Sequence, residues 1–443
     1  MEINTSTRLK LNPSPLFKGH FPPEFLWGAA ISSYQTEGDN LNSDWYLWEK
    51  EKKITPAGRA ANHYELFKED FRLAQELNLK SLRISLEWAR IFPQKNTCSD
   101  EALLHYKESI KLLNSIGLKP FVTLHHFTNP IWFSRAGGWL LSKNIDYFLE
   151  YVRKAVNELK YDVNYWLIIN EPMVYLYNGF IAGIWPPGIK SLNTAKKVLD
   201  NIISAYRDGY QEIKNIYKQE GLECNVSFAK HVRKFEACPS FNFGQNFISS
   251  SIRDKLFNID LLDHFSQKHC LDFIAINYYC KEYVKFNGAL GAQCRHLHHK
   301  EHKNFLGWYV YSQGLYEFLK RFKKYKLPIF ITENGTAEAS DSLYEEYLLS
   351  HLKSVARAIS EGIDIKGYFW WSLIDNFEWD KGFDPRFGLI EVDYENFKRK
   401  IKPFAYTYAK ICKENRIDTD YRNQQPETRE KKSIKHRVVD NGK

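Results

Sequence analysis

The sequence predicts an α/β protein that folds as a single (β/α)₈ barrel, with the active site at the carboxyl ends of its strands. Three observations support this prediction: strand-like and helix-like patterns alternate along the chain, eight such units can be recognised, and polar or aromatic residues follow every strand. An open, doubly wound sheet is the fallback because it shows the same alternation. The length of 443 residues suits one barrel with insertions, and 44% hydrophobic residues can fill a large core.

The eight strand-like runs are short and apolar, which is typical of strands buried on both faces of a parallel sheet. Their starts lie far enough apart to leave room for a crossover helix in every gap. In chain order the runs are Phe25 to Ser33, Ser81 to Trp88, Pro120 to His126, Asn164 to Asn170, Asn225 to Lys230, Phe273 to Tyr279, Ile329 to Glu333 and Gly367 to Leu373.

Two segments between these runs show the clearest helical periodicity. HYELFKEDFRLAQELNL, residues 63–79, repeats apolar side chains at steps of three or four, and Asn62 is the expected N-cap. EEYLLSHLKSVARAISEG, residues 345–362, has the same pattern, with Gly362 as the expected C-cap. Such helices would cover the outer face of a barrel.

The chain is predicted to divide into an N-terminal extension over residues 1–20, the barrel over residues 21–415 and a tail over residues 416–443. The end of the tail, RNQQPETREKKSIKHRVVDNGK, is basic and nearly free of apolar residues, so we expect it to be disordered. It also carries much of the net charge of +9, and no basic face recurs elsewhere. We therefore expect no nucleic-acid partner. The sequence does not indicate an oligomeric state.

The N-terminus has no apolar signal region, and no apolar run is long enough to span a membrane. The seven cysteines are scattered, odd in number and free of CxxC pairs, which predicts reduced thiols. Together these features favour a cytoplasmic protein without a membrane partner.

Polar or aromatic residues follow all eight runs, and in a barrel these positions gather at one mouth. The strand ends read Ser33-Tyr34-Gln35, Glu87-Trp88, His125-His126, Asn170-Glu171, Lys230-His231, Asn277-Tyr278-Tyr279, Glu333-Asn334 and Trp371-Ser372. Any one of them could be an ordinary strand cap or a wall residue. A ring made only of such residues is hard to explain as packing and predicts a functional site.

Two of these strand ends carry a glutamate, in the stretches INEP and ITENG. The fourth and seventh strands lie three places apart around an eight-stranded ring, so Glu171 and Glu333 should face each other across the mouth. Paired carboxylates in a cleft rich in aromatic residues suit the cleavage of a glycosidic bond. An aspartic protease is disfavoured because its two catalytic residues are Asp on β-rich lobes.

Eight stretches resemble, in the family's order, the motifs of family 1 glycoside hydrolases, the β-glucosidase and β-galactosidase type of retaining enzyme. The resemblance extends from Phe21 to about Lys410. The stretches are FPPEFLWGAAISSYQTEG, LRISLEWARIFP, TLHHFTNP, INEP, DFIAINYY, GWYVYSQGL, ITENG and GYFWWSLIDNFEW followed by RFGLIEVD. One match alone would be weak, but eight in order are specific.

The resemblance implies hydrolysis of terminal, non-reducing β-D-glucosyl residues, with galactosyl and fucosyl residues as further candidates. The expected substrates are β-glucosides and short β-linked oligosaccharides, and the reaction is a double displacement through a covalent glycosyl-enzyme. It implies neither a metal nor an organic cofactor.

The resemblance also implies roles for individual residues. Glu171 matches the general acid/base and Glu333 matches the nucleophile, and their carboxyl groups should lie ~5 to 5.5 Å apart. Glu171 should be protonated and Glu333 ionised, with a neighbouring cation holding the nucleophile charged. The supporting residues are Arg83, Asn277 and Tyr279. The substrate-binding residues are Gln35, His126, Asn170, Trp371, Glu378 and Trp379, with Trp308 at the aglycone entrance.

The chain departs from the family after the third strand. Phe127 and Thr128 follow His126 where the family most often has Trp and then Asp. Phenylalanine cannot donate the hydrogen bond of an indole N–H to a sugar hydroxyl. This change predicts that gluco, galacto and fuco configurations are all accepted.

Two more stretches differ from the common pattern. The fifth strand ends KHVRKFEAC, and the stretch GAQCRHLHHKEHKNF carries His296, His298, His299 and His302. The histidine spacing fits no recognised metal site, so an aglycone loop is the favoured interpretation.

Two alternative functions remain open. A 6-phospho-β-glycosidase would use the same glutamates, but it carries a Ser and Lys phosphate pair where this chain has Glu378 and Trp379. A catalytically inactive sugar-binding protein is disfavoured because both glutamates are present.

Overall fold

The computed structural model describes residues 19–240, 242–294 and 301–417. Eight parallel strands form a closed barrel in which each strand pairs with the next along the chain and the last pairs with the first. The strands are β1 Leu26–Ala30, β2 Ser81–Ser85, β3 Lys119–His125, β4 Tyr165–Asn170, β5 Asn225–Ala237, β6 Ile274–Lys285, β7 Ile329–Asn334 and β8 Ile365–Trp371. The predicted barrel is confirmed, and the open sheet is wrong.

A principal helix follows each strand. These helices are α1 His63–Glu76, α2 Asp100–Ser115, α3 Ile145–Leu159, α4 Leu192–Gln219, α5 Asp260–Gln267, α6 Ser312–Phe322, α7 Asp341–Ser360 and α8 Pro403–Glu414. The remaining helical segments are Ser33–Thr36, Asp44–Lys52, Trp88–Ile91, Ile131–Arg135, Gly138–Leu140, Ser142–Asn144, Pro172–Leu176, Tyr177–Ile181, Phe243–Asp254, Lys255–Ile259, Lys323–Tyr325 and Trp379–Lys381. Short strands are Ala292–Gln293, antiparallel to β6, and the pair Ile390–Val392 and Arg399–Ile401. No helix among the described residues is both long and apolar enough to span a membrane.

The two helices predicted in most detail are both present. Asn62 occupies the N-cap position of α1, but its φ is 54° and its side chain makes no capping hydrogen bond. Helix α7 begins at Asp341, earlier than its apolar pattern indicates, because Ser340 provides an extended residue before the first turn. Gly362 follows the end of α7 with a φ of +73°, and its N–H donates to the Ile359 carbonyl at 2.9 Å.

Aromatic side chains fill the barrel interior beneath the strand ends. The Phe121 ring stacks on Tyr165 with centroids 4.2 Å apart and meets the edges of Phe330 and Phe369 at 5.2 and 4.9 Å. Phe273 completes this group, whose members are all buried or nearly so. Such a cluster has the tilted and edge-to-face geometry that aromatic rings prefer. It forms an apolar floor for the polar residues at the mouth.

The prediction that all cysteines are reduced thiols is wrong for one pair. Cys238 and Cys294 form a disulfide with Cα atoms 6.2 Å apart. Strands β5 and β6 continue past the barrel mouth as a paired ribbon, and the two cysteine N–H groups donate to the carbonyls of Val284 and Tyr283, each at 2.8 Å. The cysteines are 56 residues apart in sequence, so only the folded ribbon reveals their proximity.

The predicted domain boundaries stay predictions. Residues 1–18 and 418–443, which make up most of the expected extension and tail, lie outside the described residues. Within the described chain, the N–H of Ile417 donates to the Gly19 carbonyl at 2.9 Å, and the Trp27 indole donates to Asn415 at 2.9 Å. These bonds join the two ends of the barrel segment.

Candidate active site

Two buried glutamates lie at the carboxyl ends of β4 and β7. Glu171 directly follows β4 with a φ of 44°, and its N–H donates to the Ala229 carbonyl at 2.9 Å. Pro172 then begins a short helix at a position where its missing N–H costs nothing. Glu333 lies within β7 at an irregularity in the pairing with both neighbouring strands. The two residues are only 7% and 3% exposed.

Arg83 connects the nucleophile candidate to the sugar-binding side of the site. Its Nη1 donates to Glu333 Oε1 at 2.5 Å, its Nη2 donates to Asn170 Oδ1 at 2.7 Å and its Nε donates to Thr123 at 3.0 Å. The guanidinium is 1% exposed. Three donors are thus used in one plane, which fixes the orientation of the Glu333 carboxylate.

Tyr279 binds the other oxygen of the same carboxylate. Its hydroxyl donates to Glu333 Oε2 at 2.5 Å. Each oxygen of Glu333 therefore has a donor of its own, and charge-assisted bonds of this kind favour the ionised form. The predicted support of Glu333 by Arg83 and Tyr279 is present in the structure.

Asn277 connects the two halves of the site. Its Nδ2 donates to Glu171 Oε1 at 2.7 Å and lies 3.2 Å from Asn170 Oδ1. The hydroxyl of Thr332 donates to Asn277 Oδ1 at 2.7 Å and fixes which way the amide points. A continuous chain of hydrogen bonds therefore runs from Glu333 through Arg83, Asn170 and Asn277 to Glu171.

A histidine that the sequence analysis did not assign to the site also binds Glu171. His231 Nδ1 lies 3.2 Å from Glu171 Oε1, and the residue is 5% exposed. Its place after the barrel portion of β5, opposite Asn277 on β6, brings it to the mouth. The available signal was its position among the polar strand ends; nothing in the sequence showed that it reaches across to β4.

The pKa directions of the two glutamates differ from the expectation. Burial raises the pKa of Glu333 to about 7, the Arg83 charge opposes this, and repulsion by Glu171 adds to it. Burial also raises the pKa of Glu171, but the charge and hydrogen bond of His231, together with the Asn277 N–H, bring it below its usual value. The lowered pKa of Glu171 therefore depends on a protonated His231.

His231 and Glu171 share one proton. Burial lowers the pKa of His231, and nearby Arg233 and Lys230 act in the same direction, while Glu171 opposes them. Separating the proton from Glu171 would place two charges in a buried site, which desolvation disfavours. Repulsion between Glu171 and Glu333 also favours a neutral Glu171. A single proton on this buried pair is therefore better placed on Glu171, beside a neutral His231, than on His231.

The predicted sugar-binding residues form one wall of the mouth. Gln35 Nε2 lies 3.3 Å from Glu378 Oε2 and donates to the Phe377 carbonyl at 2.8 Å. Burial raises the pKa of Glu378 to about 8, and the charge of Asp380 adds to this. His126 Nε2 lies 3.1 Å from the Asn170 amide, while its Nδ1 has no partner among the described residues.

Trp371 and Trp379 present large flat surfaces beside His126. The His126 ring is nearly parallel to both indoles, at 6.1 and 6.3 Å. Trp379 is itself held by Tyr34, whose ring stacks on it at 5.9 Å, and by Trp45 at 4.8 Å. These contacts fix the platform before any ligand arrives.

Trp308 lies apart from these two tryptophans, near the nucleophile's tyrosine. Its ring meets the edge of Tyr279 at 5.8 Å and that of Phe387 at 6.3 Å, and it remains partly exposed. Its predicted role at the aglycone entrance stays a prediction.

The two departures from the family pattern have different neighbours. Phe127, 4% exposed, packs against Trp185 at 5.1 Å and Trp379 at 5.4 Å. Thr128 instead points away, and its hydroxyl binds both oxygens of buried Glu87 at 3.1 and 3.0 Å. Only Phe127 can therefore affect the shape of the sugar site directly.

No group of three potential metal ligands occurs among the residues that the structure describes. Of the four histidines in the unusual stretch, His302 binds Glu338 at 3.0 Å, and His296, His298 and His299 lie outside those residues.

Both the sequence and the fold of this chain are similar to those of known proteins. The model of Glycosyl hydrolase family 1 matches residues 17–240 and 244–417. β-Glucosidase A of Acetivibrio thermocellus is 30% identical over 89% of this chain and 98% of its own length. The structure of a β-glycosidase from Pyrococcus horikoshii superposes with a TM-score of 0.85, at 35% identity over 92% of this chain and 99% of that one.

A third relative has been solved in complex with two different ligands. The β-glucosidase of Thermotoga maritima superposes with TM-scores of 0.82 and 0.81 in its complexes with deoxynojirimycin and galacto-hydroximolactam. It is 28% and 29% identical in the two alignments, which cover 90% of this chain and the whole of that one.

Proposed function

The chain belongs to glycosyl hydrolase family 1, and we propose that it is a retaining β-glycosidase in which Glu171 is the general acid/base and Glu333 is the nucleophile. The observation that carries the assignment of these roles is the different set of partners of the two carboxylates. Glu333 accepts a hydrogen bond on each oxygen, from Arg83 and Tyr279, whereas Glu171 accepts on one oxygen only. The first arrangement suits an ionised nucleophile, and the second leaves an oxygen for a proton.

In the first step Glu333 attacks the anomeric carbon while the bond from that carbon to the leaving oxygen breaks. The proton of Glu171 moves to the leaving oxygen, so the aglycone departs as a neutral alcohol. The sugar is then esterified to Glu333. Arg83 stabilises the Glu333 carboxylate before attack. Tyr279 can keep its hydrogen bond to Glu333 as the negative charge of the carboxylate is lost.

In the second step water enters where the aglycone was. Glu171, now ionised, accepts a proton from the water as its oxygen attacks the anomeric carbon, and the ester bond to Glu333 breaks. Because the ester has no negative charge, Glu333 no longer repels an ionised Glu171. Loss of that repulsion lowers the pKa of Glu171 at the stage when it must act as a base.

The proposed substrates are β-glucosides and short β-linked oligosaccharides. Gln35 and Glu378 offer a donor and an acceptor to adjacent hydroxyls, and Asn170 lies where it can bind the 2-hydroxyl. Trp371 and Trp379 supply apolar faces for the sugar ring. Galactosides and fucosides are proposed as further substrates because Phe127 offers no hydrogen bond at its position. A cytoplasmic location stays a prediction of the sequence.

A 6-phospho-sugar is a poorer fit to this wall. Glu378 lies beside Gln35, and the charge of Asp380 acts on it. A phosphate placed there would meet two carboxyl groups instead of the cationic donors that bind phosphate well.

The roles of the two glutamates can be tested by azide rescue with 2,4-dinitrophenyl β-glucoside, whose leaving group needs no acid. We expect Glu333→Gly to lose about 10³-fold or more of its activity and azide to restore part of it, giving the α-glucosyl azide. We expect Glu171→Ala to form the glycosyl-enzyme normally and to turn over with azide to the β-glucosyl azide. Formation of the opposite anomers would show that Glu171 is the nucleophile and Glu333 the acid/base.

The same experiment addresses the inactive sugar-binding alternative. Thermal unfolding of both variants serves as the control for correct folding. Failure of the unmodified protein to release dinitrophenol faster than the Glu333→Gly variant would refute the proposed function.

A further inference from the structure

His231 occupies a fixed position against the acid/base candidate. Its ring lies nearly parallel to the Tyr279 ring at 5.8 Å, and the edge of Phe257 packs on it at 5.7 Å. Nδ1 faces Glu171 Oε1 at 3.2 Å. Nε2 is buried and has no protein partner among the described residues.

The partners of the two ring nitrogens determine the tautomer of His231. A proton on Nε2 would be a buried donor without an acceptor, which costs about 1–3 kcal/mol. A proton on Nδ1 has Glu171 Oε1 as its acceptor. Neutral His231 therefore carries its proton on Nδ1 and donates to Glu171.

Two N–H donors consequently converge on a single oxygen. Asn277 Nδ2 donates to Glu171 Oε1 at 2.7 Å, and the Thr332 hydroxyl prevents that amide from turning over. With both lone-pair directions of Oε1 occupied by donors, the acidic proton belongs on Oε2. Neither donor contacts Oε2 in the structure.

We propose that His231 is a positioning residue that holds the catalytic proton of Glu171 on Oε2 by reserving Oε1 as a hydrogen-bond acceptor. The proposal rests on the proposed function, because it assigns Glu171 the acid/base role. In the second step the same Nδ1–H stabilises the carboxylate, so His231 assists Glu171 as an acid and as a base without gaining or losing a proton.

The charged groups around His231 keep it neutral. Lys230 and Arg233 come from its own strand, Glu171 follows β4, and Tyr279 packs on the ring from β6. Lys230 Nζ donates to the carbonyls of His231 and Phe257, and burial lowers the pKa of Lys230 to about 7. These cations and the burial of the ring oppose its protonation, whereas only Glu171 favours it.

The test compares His231→Phe with His231→Asn. Phenylalanine keeps a ring against Tyr279 but removes the donor, whereas the Asn Nδ2 can occupy the place of His Nδ1. We expect His231→Phe to lower kcat/KM for an alkyl β-glucoside by about tenfold, and that for 2,4-dinitrophenyl β-glucoside by no more than about twofold, because only the first substrate needs the proton. His231→Asn should restore most of the difference.

The pH profile provides a readout that loss of packing alone would not move. Removing a donor to the Glu171 carboxylate disfavours the ionised form and raises the pKa of Glu171. The alkaline limb of kcat/KM for the alkyl glucoside should therefore move to higher pH in His231→Phe and return in His231→Asn. Phe257→Leu is the packing control and should leave the limb in place.

An NMR measurement on the unmodified protein tests the tautomer directly. Nitrogen-15 shifts of His231 should show the proton on Nδ1. A proton on Nε2, or equal slowing of both substrates by His231→Phe without a shift of the limb, would overturn the proposal while leaving the glycosidase function intact. If Glu171→Ala kept full activity on the alkyl glucoside, the proposed function itself would fail.

Discussion

At the scale of single residues, the two glutamates differ in the directions from which they are hydrogen-bonded. Glu333 lies in a fork formed by Arg83 and Tyr279, and Glu171 receives both of its bonds on one oxygen. This difference supports the proposal that two identical side chains in one mouth have opposite roles. The same reasoning explains why Arg83 cannot be replaced by lysine without loss, since a single ammonium cannot bind Glu333, Asn170 and Thr123 in one plane.

Phe127 supports a prediction about sugar preference. Replacing it with tryptophan would add one N–H donor beside Trp185 and Trp379, where the phenyl ring now packs. A neutral hydrogen bond contributes about 0.5–1.5 kcal/mol, so we expect Phe127→Trp to change the ratio of kcat/KM between nitrophenyl β-glucoside and β-galactoside or β-fucoside by about two- to tenfold. Initial rates on the three substrates measure this ratio. Equal ratios in the two proteins would contradict the prediction, and Thr128→Ser, which keeps the hydroxyl near Glu87, is the control.

The grouping of the site residues at one mouth could be predicted because each lies in a recognisable motif at or near the end of an apolar run, whereas their catalytic roles stay predictions. Glu171, Glu333 and the supporting Arg83, Asn277 and Tyr279 all meet at the mouth. The hydrogen bond of His231 could not be predicted, because it depends on the register between β4 and β5 and on a side chain that the motif does not contain. The direction of the Glu171 pKa could not be predicted either, because it depends on that histidine.

At the scale of secondary-structure elements, a buried ion pair joins helix α1 to the short strand Arg399–Ile401. Asp70 on α1 accepts from His63 Nδ1 at 2.7 Å and from Arg399 Nε at 2.8 Å, and both Asp70 and Arg399 are 0% exposed. Arg399 also donates to the Ala61 carbonyl at 2.7 Å. This group connects helix α1, the loop before it and the short strand Arg399–Ile401.

Removal of the Asp70 charge should destabilise the fold. Burial raises the pKa of Asp70, but hydrogen bonds from His63 and Arg399 outweigh burial and lower it. The resulting stabilisation is present above the unfolded-state pKa and is lost as the pH falls through the folded-state pKa. We expect Asp70→Asn to lower the free energy of unfolding by about 3–5 kcal/mol at neutral pH, and by less as the medium becomes acidic.

Denaturant unfolding at several pH values measures this effect. The control is Arg72→Ala, which removes an ion pair to Glu76 between side chains that are 61% and 48% exposed. It should change stability by at most about 0.5 kcal/mol. An Asp70→Asn deficit no larger than that of the control would contradict the prediction.

The paired extensions of β5 and β6 could not be predicted from the sequence. The strand cores were predicted from apolar runs, but both strands continue through KHVRKFEA and YYCKEYVK, where polar residues interrupt the pattern. Ion pairs sustain the ribbon there, with Glu282 accepting from both Arg233 and Arg253. The disulfide at its end was not predicted, because the ribbon that brings the two cysteines together was not predicted.

At the scale of the whole molecule, the polar mouth of the barrel is built from residues of many strands. Ligand binding at that mouth should therefore stabilise the entire fold. Deoxynojirimycin at a concentration one hundred times its dissociation constant would add about 2.7 kcal/mol. With the usual entropy of unfolding per residue, we expect Tm to rise by about 3 °C.

Differential scanning calorimetry with and without deoxynojirimycin measures this shift. In Glu378→Gln, which lacks the carboxylate beside Gln35, the same concentration should raise Tm by at most about 1 °C. An equal rise in both proteins would show that the ligand does not bind through this wall.

The fold of the whole molecule was predictable because eight short apolar runs, each followed by polar or aromatic residues, admit few arrangements. Closure was the step that required the structure, since the pairing of β8 with β1 joins Trp371 to Ala30 across most of the chain. The ends of α7 and the short helices after the strands depend on local caps that periodicity does not indicate.

The aromatic floor beneath Arg83 closes the lower end of the active-site cleft. Phe121, Phe330 and Phe369 are buried apolar side chains, so we expect ligands to reach Glu333 from the carboxyl ends of the strands. Water and alcohols would then compete for the same entrance and for the same proposed base, Glu171. We therefore expect the ratio of hydrolysis to transfer onto another alcohol to depend on how well each acceptor binds near the entrance.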